Sequence, residues 1–155
     1  MRRKDREITD NKLIEDFIAK EQIIRIGFYD DGEVYIVPVN YGYICDDGKY
    51  TFFFHGAKAG RKYELAKSVP NVGFEIDGSY QLTGGDFACE YSCKFQSVIG
   101  TGRLALVDDK SEKITGLNRI MEQTTGRTGW NYDDVMLEEV AVFKLKADKL
   151  SCKGK

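Results

Sequence analysis

The chain has 155 residues but only one histidine, two prolines and one tryptophan, and each scarcity excludes something. A single histidine rules out a histidine-rich metal cage, and two prolines rule out a proline-rich linker. No apolar stretch approaches the roughly 20 residues that span a bilayer. The opening MRRKDREITD is basic but has no apolar segment behind it, so it does not read as a secretory leader. Charge of one sign is missing as well: 23 Lys and Arg stand against 25 Asp and Glu, a net −2 without a long basic run. Nucleic acid and anionic membrane are therefore poor partners. The expectation is a cytoplasmic protein in which Cys45, Cys89, Cys93 and Cys152 are free thiols.

What is present fits one domain over residues 1–155, since a chain of this length buries roughly 68–70% of its unfolded surface unaided. Thr9 is a candidate N-cap for a helix to about Glu21, with Leu13, Ile14, Phe17 and Ile18 on its apolar face and Ile8 stapling onto Leu13. The period then shortens. Ile23–Phe28 reads as a strand, Asp30-Asp31-Gly32 as a turn, Glu33–Tyr43 as a longer strand, Asp46-Asp47-Gly48 as a turn and Lys49–His55 as a strand. Pro38 cannot donate to a ladder, so its strand lies at an edge or is bulged there. Gly60–Lys67 is a short helix before the strand Asn71–Asp77. DGSYQLTGGDFACEYSC reads as an excursion outside the sheet, and Phe95–Val107 as the longest strand. Asp109 and Glu112 open a helix with Ile114, Leu117, Ile120 and Met121 on one face, and Glu139–Leu145 is the last strand. About six mostly antiparallel strands and three helices, without βαβ alternation, predict an α+β β-barrel with helices outside it.

The chemistry concentrates in FFFHGAKAGRKYELAK, where a strand turns into a helix. His55, Lys58, Arg61 and Lys62 sit there, although a helix start already carries about half a positive charge. Arg61 stands where a Walker loop needs its second glycine, and the G-x-G-x-x-G pattern fails too. Two readings stand. An anion could lie on the free N–H groups of the helix start among these cations, approached closely across Gly56, Ala57, Ala59 and Gly60. Alternatively, the turn is a solvated basic surface paired with Glu64. Cys89 and Cys93 lack two further ligands at a zinc spacing and read as loop thiols.

IVPVNYGY, HGAKAGRKYELAKSVPNVGFEID and FQSVIGTGRLALVDDKSEKITGLNRIM, taken together, resemble the FMN-binding split-barrel family of pyridoxamine 5′-phosphate oxidase. Within it they resemble the NimA-like branch associated with 5-nitroimidazole resistance, over nearly the whole chain from Met1. The resemblance implies a split β-barrel acting as a homodimer with FMN at the subunit interface. It places the FMN phosphate on Arg61 and Lys62, with Lys58 beside them, and makes His55 the catalytic residue near the flavin. Pro38, Val39 and Asn40 would line the isoalloxazine, Gln96 or Ser97 would supply a polar flavin contact, and Trp130 or Tyr132 would cover it. The implied activity is an FMN-dependent oxidoreductase passing electrons from NAD(P)H or another donor to a small acceptor, a nitroaromatic among the candidates. The alternative is a non-catalytic flavin- or haem-binding protein, with His55 as the one histidine for an axial position. The oxidase's arginine in the VYIVPVN segment and its C-terminal substrate arginines have no counterpart, which argues against pyridoxamine 5′-phosphate as substrate.

Overall fold

Strand alternation sets the architecture. In the computed structural model, which describes residues 3–155, β2 (Ile23–Asp30) buries Ile24, Ile26 and Phe28 and turns the residues between them outward. Met1 and Arg2, where the family resemblance begins, lie outside the described residues. Asp31 and Gly32 both take positive φ, 45° and 88°, as the tight turn into β3 (Glu33–Asn40) requires. Asp47 and Gly48 repeat this between β4 (Gly42–Asp46) and β5 (Lys49–Ala57). With β1 (Glu7–Ile8), β6 (Asn71–Thr83), β7 (Ser92–Leu106) and β8 (Val140–Gly154), they form one antiparallel sheet in the order β3-β2-β6-β7-β8-β5-β4, with β1 on β8.

The expected strand Glu33–Tyr43 is in fact two, and they end up at opposite ends of the sheet. Tyr41 separates them. Its fully buried ring packs edge-on to Phe52, and its hydroxyl donates to the Ile18 carbonyl at 2.6 Å. Because β3 and β4 are consecutive, the sheet rolls until β3 lies alongside β5, giving the split barrel. Among the described residues β3 is hydrogen-bonded only to β2, so of the two expectations for Pro38, edge or bulge, the edge holds. Phe28, Phe52, Phe54, Phe74, Phe143 and Leu145 fill the interior, each contributing ~1.5–3 kcal/mol by burial. The opposite face of β5 and β8 carries a second cluster of Phe53, Val142, Val107, Leu117, Ile120 and Leu137. It lies beneath α3 (Lys110–Thr125) and α4 (Asp134–Glu139). Gly42 lets α3 lie flat on β4, since any Cβ there would strike the Arg119 backbone.

Several expectations need correction. The N-cap of α1 (Asn11–Lys20) is Asp10, which accepts from the N–H groups of Lys12 and Leu13; Leu13 itself is 52% exposed, and Ile8 pairs with Cys152 in the sheet instead. The Gly-rich excursion is largely a hairpin. Beyond an irregularity at Gly78, the pairs Gln81–Lys94, Leu82–Cys93 and Thr83–Ser92 continue the β6–β7 ladder. The last strand begins where expected but runs nine residues past Leu145, to Gly154. α4, with Asp133 as its N-cap, was not foreseen, because six residues are too few for a helical period to declare itself.

Candidate functional site

The strand-to-helix turn divides its cations among different tasks. α2 (Arg61–Ser68) starts from Gly60 at φ 90°, without a side-chain cap. The Gly60 carbonyl accepts from Tyr63 and Glu64, while the N–H groups of Arg61 and Lys62 have no acceptor among the described residues. The exposed Arg61 guanidinium spans the gap to the β2–β3 turn. Its Nε and Nη2 reach Asp30 Oδ2 at 2.9 and 2.8 Å, Nη2 reaches Glu33 at 3.3 Å, and it lies 4.8 Å over the Tyr35 ring. Glu64 pairs with Lys67 rather than with the turn. The acidic pair thus supplies Arg61 with carboxylates, which nothing in the sequence linked to α2.

Lys62, like Lys58, has no carboxylate in salt-bridge contact among the described residues. Its half-buried Nζ lies 3.4 Å from the His55 carbonyl, 5.6 Å from the Phe54 ring centroid and 5.2 Å from that of Phe143. Burial lowers its pKa. Gly56 makes room for it, because a Cβ there would sit 2.9 Å from Nζ. Lys58 is directed elsewhere, to a charged cavity of about 280 Å³ with Asp108, Lys110, Lys113, Asp134 and Glu138. In that cavity Lys113, nearly fully buried, donates to the Leu137 and Val140 carbonyls at 2.9 and 3.2 Å and so closes the C-terminus of α4.

His55 falls on the outer face of β5, two residues from Phe53. It borders an apolar cavity of about 170 Å³ between the sheet and α3–α4, walled by Leu117, Ile120, Met121, Met136, Leu137 and Val140, with Tyr132 at its side. Burial first, and the Lys62 ammonium second, hold its pKa below the ordinary histidine value, so the imidazole is neutral near pH 7. The Tyr132 hydroxyl donates to Asn118 at 3.2 Å. Trp130, by contrast, keeps to its own loop, donating to the Arg127 carbonyl at 3.0 Å. Of the two aromatics considered as covers, Tyr132 is the one beside His55.

On β3, Pro38 and Asn40 point outward and Val39 toward the core. Cross-strand register puts Pro38, Arg25, Glu75, Ile99 and Ser151 in one outer row, with Asp77, Ser97 and Lys153 in a row beside it. Ser97 thus shares the outer face with Pro38, and its buried Oγ has no hydrogen-bond partner among the described residues. Gln96 takes the other face, where it pairs with Gly154. His55 pairs with Val142 and Ser97 with Lys153, at opposite ends of β8, which sets them on the order of 30 Å apart along the strand. One chain therefore brings His55 and Lys62 together, and sets Arg61 beside Lys62 at the start of α2, but not Gln96 or Ser97.

Known proteins share this fold. Over 96% of this chain and 86% of the other, the protein is 28% identical to a proposed 5-nitroimidazole antibiotic resistance protein of Bacteroides thetaiotaomicron, with a TM-score of 0.83. A flavocytochrome of Azotobacter vinelandii matches with a TM-score of 0.79 and 19% identity over 100% of this chain and 72% of its own. A FAD-binding protein of Mesorhizobium loti matches at 0.64 and 18%, over 96% and 95%. The last two show a shared fold. Comparison with curated proteins gave no match. The family model described as pyridoxamine 5′-phosphate oxidase matches residues 10–153, almost the entire chain, and the protein belongs to that family.

Proposed function

We propose that the protein binds FMN at the β5–α2 turn and works as a flavin-dependent oxidoreductase on a small acceptor. The observation that carries this reading is Lys62, a half-buried ammonium without a carboxylate partner beside the uncapped start of α2. The donor set suits a phosphate monoester: two free backbone N–H groups, the Lys62 ammonium, and Arg61 Nη1, which has no partner among the described residues. Bound there, a flavin supplies the electron transfer between NAD(P)H or another donor and the acceptor. Lys62 and the helix start hold the phosphate, Pro38 and Asn40 border the ring system, and α3–α4 keep water from the inner side of His55. His55 offers its ring N–H as a hydrogen bond to the acceptor as negative charge develops, which stabilises that charge without requiring a protonated imidazole.

A cofactor of this size does not fit the 170 Å³ beside His55, since ligands of drug size occupy about 300–1,000 Å³. It would lie on the outer surface, closed over by a second copy. The outer face of β2 and β3 supports a homodimer, with Tyr29, Val34 and Ile36 each at least 60% exposed. A second copy would also supply the Ser97 row that one chain holds far from His55. Four unpaired cysteines go with a reducing, cytoplasmic setting. Nitroaromatic reduction stays within the reading as one acceptor class, supported by the likeness to the Bacteroides protein. Binding of haem through His55 without turnover is the competing reading, and visible spectra separate the two. Purified without added cofactor, the protein should show the paired flavin bands and release FMN on denaturation. A Soret band, or a colourless protein that takes up no FMN, would overturn the proposal.

A further inference from the structure

We propose that the cavity beside His55 binds one neutral aromatic ring bearing a single hydroxyl or carbonyl group, with the ring inside and the polar group on His55. Its 170 Å³ slightly exceeds the roughly 150 Å³ apolar cavity that admits benzene. The walls are aliphatic or thioether side chains, and Met121 and Met136 adapt readily to a flat ring. Two polar groups border it. The Tyr132 hydroxyl already donates to Asn118 and can only accept further, which leaves the imidazole as the donor that can meet a ligand. Being neutral near pH 7, His55 offers one donor and one acceptor, so it serves a carbonyl or a hydroxyl equally. A charged ring would lose its hydration without a counter-charge in the cavity. As the acceptor site of a redox enzyme this rests on the flavin reading above; as a binding site it does not.

The test uses the full chain with ¹³C-methyl methionine, in which Met121 and Met136 report from inside the cavity wall. Phenol should shift both methyl signals saturably, whereas benzoate should not. Met121→Trp, which adds the bulkiest side chain to the cavity wall, should abolish the phenol response read at Met136; Val140→Leu narrows the same cavity should the first variant not fold. His55→Phe should weaken phenol about fivefold to tenfold, as loss of one hydrogen bond does, and leave toluene binding unchanged. The inference is overturned if phenol produces no saturable shift in the folded protein, if benzoate binds as well as phenol, or if the filled variants bind phenol like the wild type. FMN uptake measured on the same samples keeps the two readings apart. Phenol binding without FMN uptake removes the cofactor reading alone, and FMN uptake without phenol binding removes this inference alone.

Discussion

Lys62, Arg61 and His55 differ in ways their shared neighbourhood in the sequence conceals. Arg61 is neutralised by Asp30 and Glu33, so Arg61→Ala should weaken FMN binding less than Lys62→Met, which should cost at least about tenfold in affinity, the scale of a lost charged hydrogen bond. Equilibrium titration of flavin fluorescence reads both. His55→Ala should retain FMN and lose turnover, and full activity in that variant would end its catalytic role. The lowered pKa of His55 also gives a pH signature. Folding depresses it below the unfolded value of 6.5, so the unfolded chain takes the proton first as pH falls. Stability is whole above that value and declines as pH drops through it toward the folded pKa. Between pH 7 and 5 the unfolding temperature of the wild type should therefore fall more than that of His55→Gln. The cluster was legible because a strand-to-helix turn confines His55, Arg61 and Lys62 to a few residues. The role of Asp30 was not, since sequence does not say which hairpin tip α2 meets. Nor was the choice between Gln96 and Ser97, because a one-residue slip reverses the face.

Elements report their own boundaries. Asp10, and not Thr9, caps α1, so Asp10→Ala should destabilise the protein by about 1 kcal/mol and Thr9→Ala by much less, as chemical denaturation would show. Lys113 tests α4. Its ammonium is the partner of two carbonyls at the helix end, and Lys113→Met should cost about 1–3 kcal/mol by leaving them buried and unpaired. Strands with period two and Asp-Gly turns were readable from residue order alone, as β2, β3, β4 and β5 demonstrate. The break at Tyr41 was not, because VYIVPVNYGYIC continues to alternate through it. Only the tertiary contact with Ile18 and Phe52 cuts the strand and sends its halves to opposite ends of the sheet. The length of β8 was hidden for a related reason. Its second half, ADKLSCKG, is mostly polar and buries only Cys152 fully, and it is held by pairing with β7 and β1.

At the scale of the whole molecule, the rolled sheet leaves exposed apolar side chains on the outer face of β2–β3, the face that carries Pro38 and Ser97 and that the proposed function assigns to the flavin and a second copy. Ile36→Lys on that face should convert a dimer to a monomer in light scattering and lose FMN with it; a monomeric wild type would remove the second copy from the account. The central claim is that the β5–α2 turn holds a flavin phosphate through Lys62. The most direct measurement is the visible absorption of wild-type and Lys62→Met protein, purified alike without added cofactor and followed by extraction of any chromophore. Flavin bands and released FMN are expected from the wild type, and a colourless, folded protein from the variant. Equal flavin in both proteins would contradict the role of Lys62, and a wild type that stays colourless even with added FMN would contradict the claim itself.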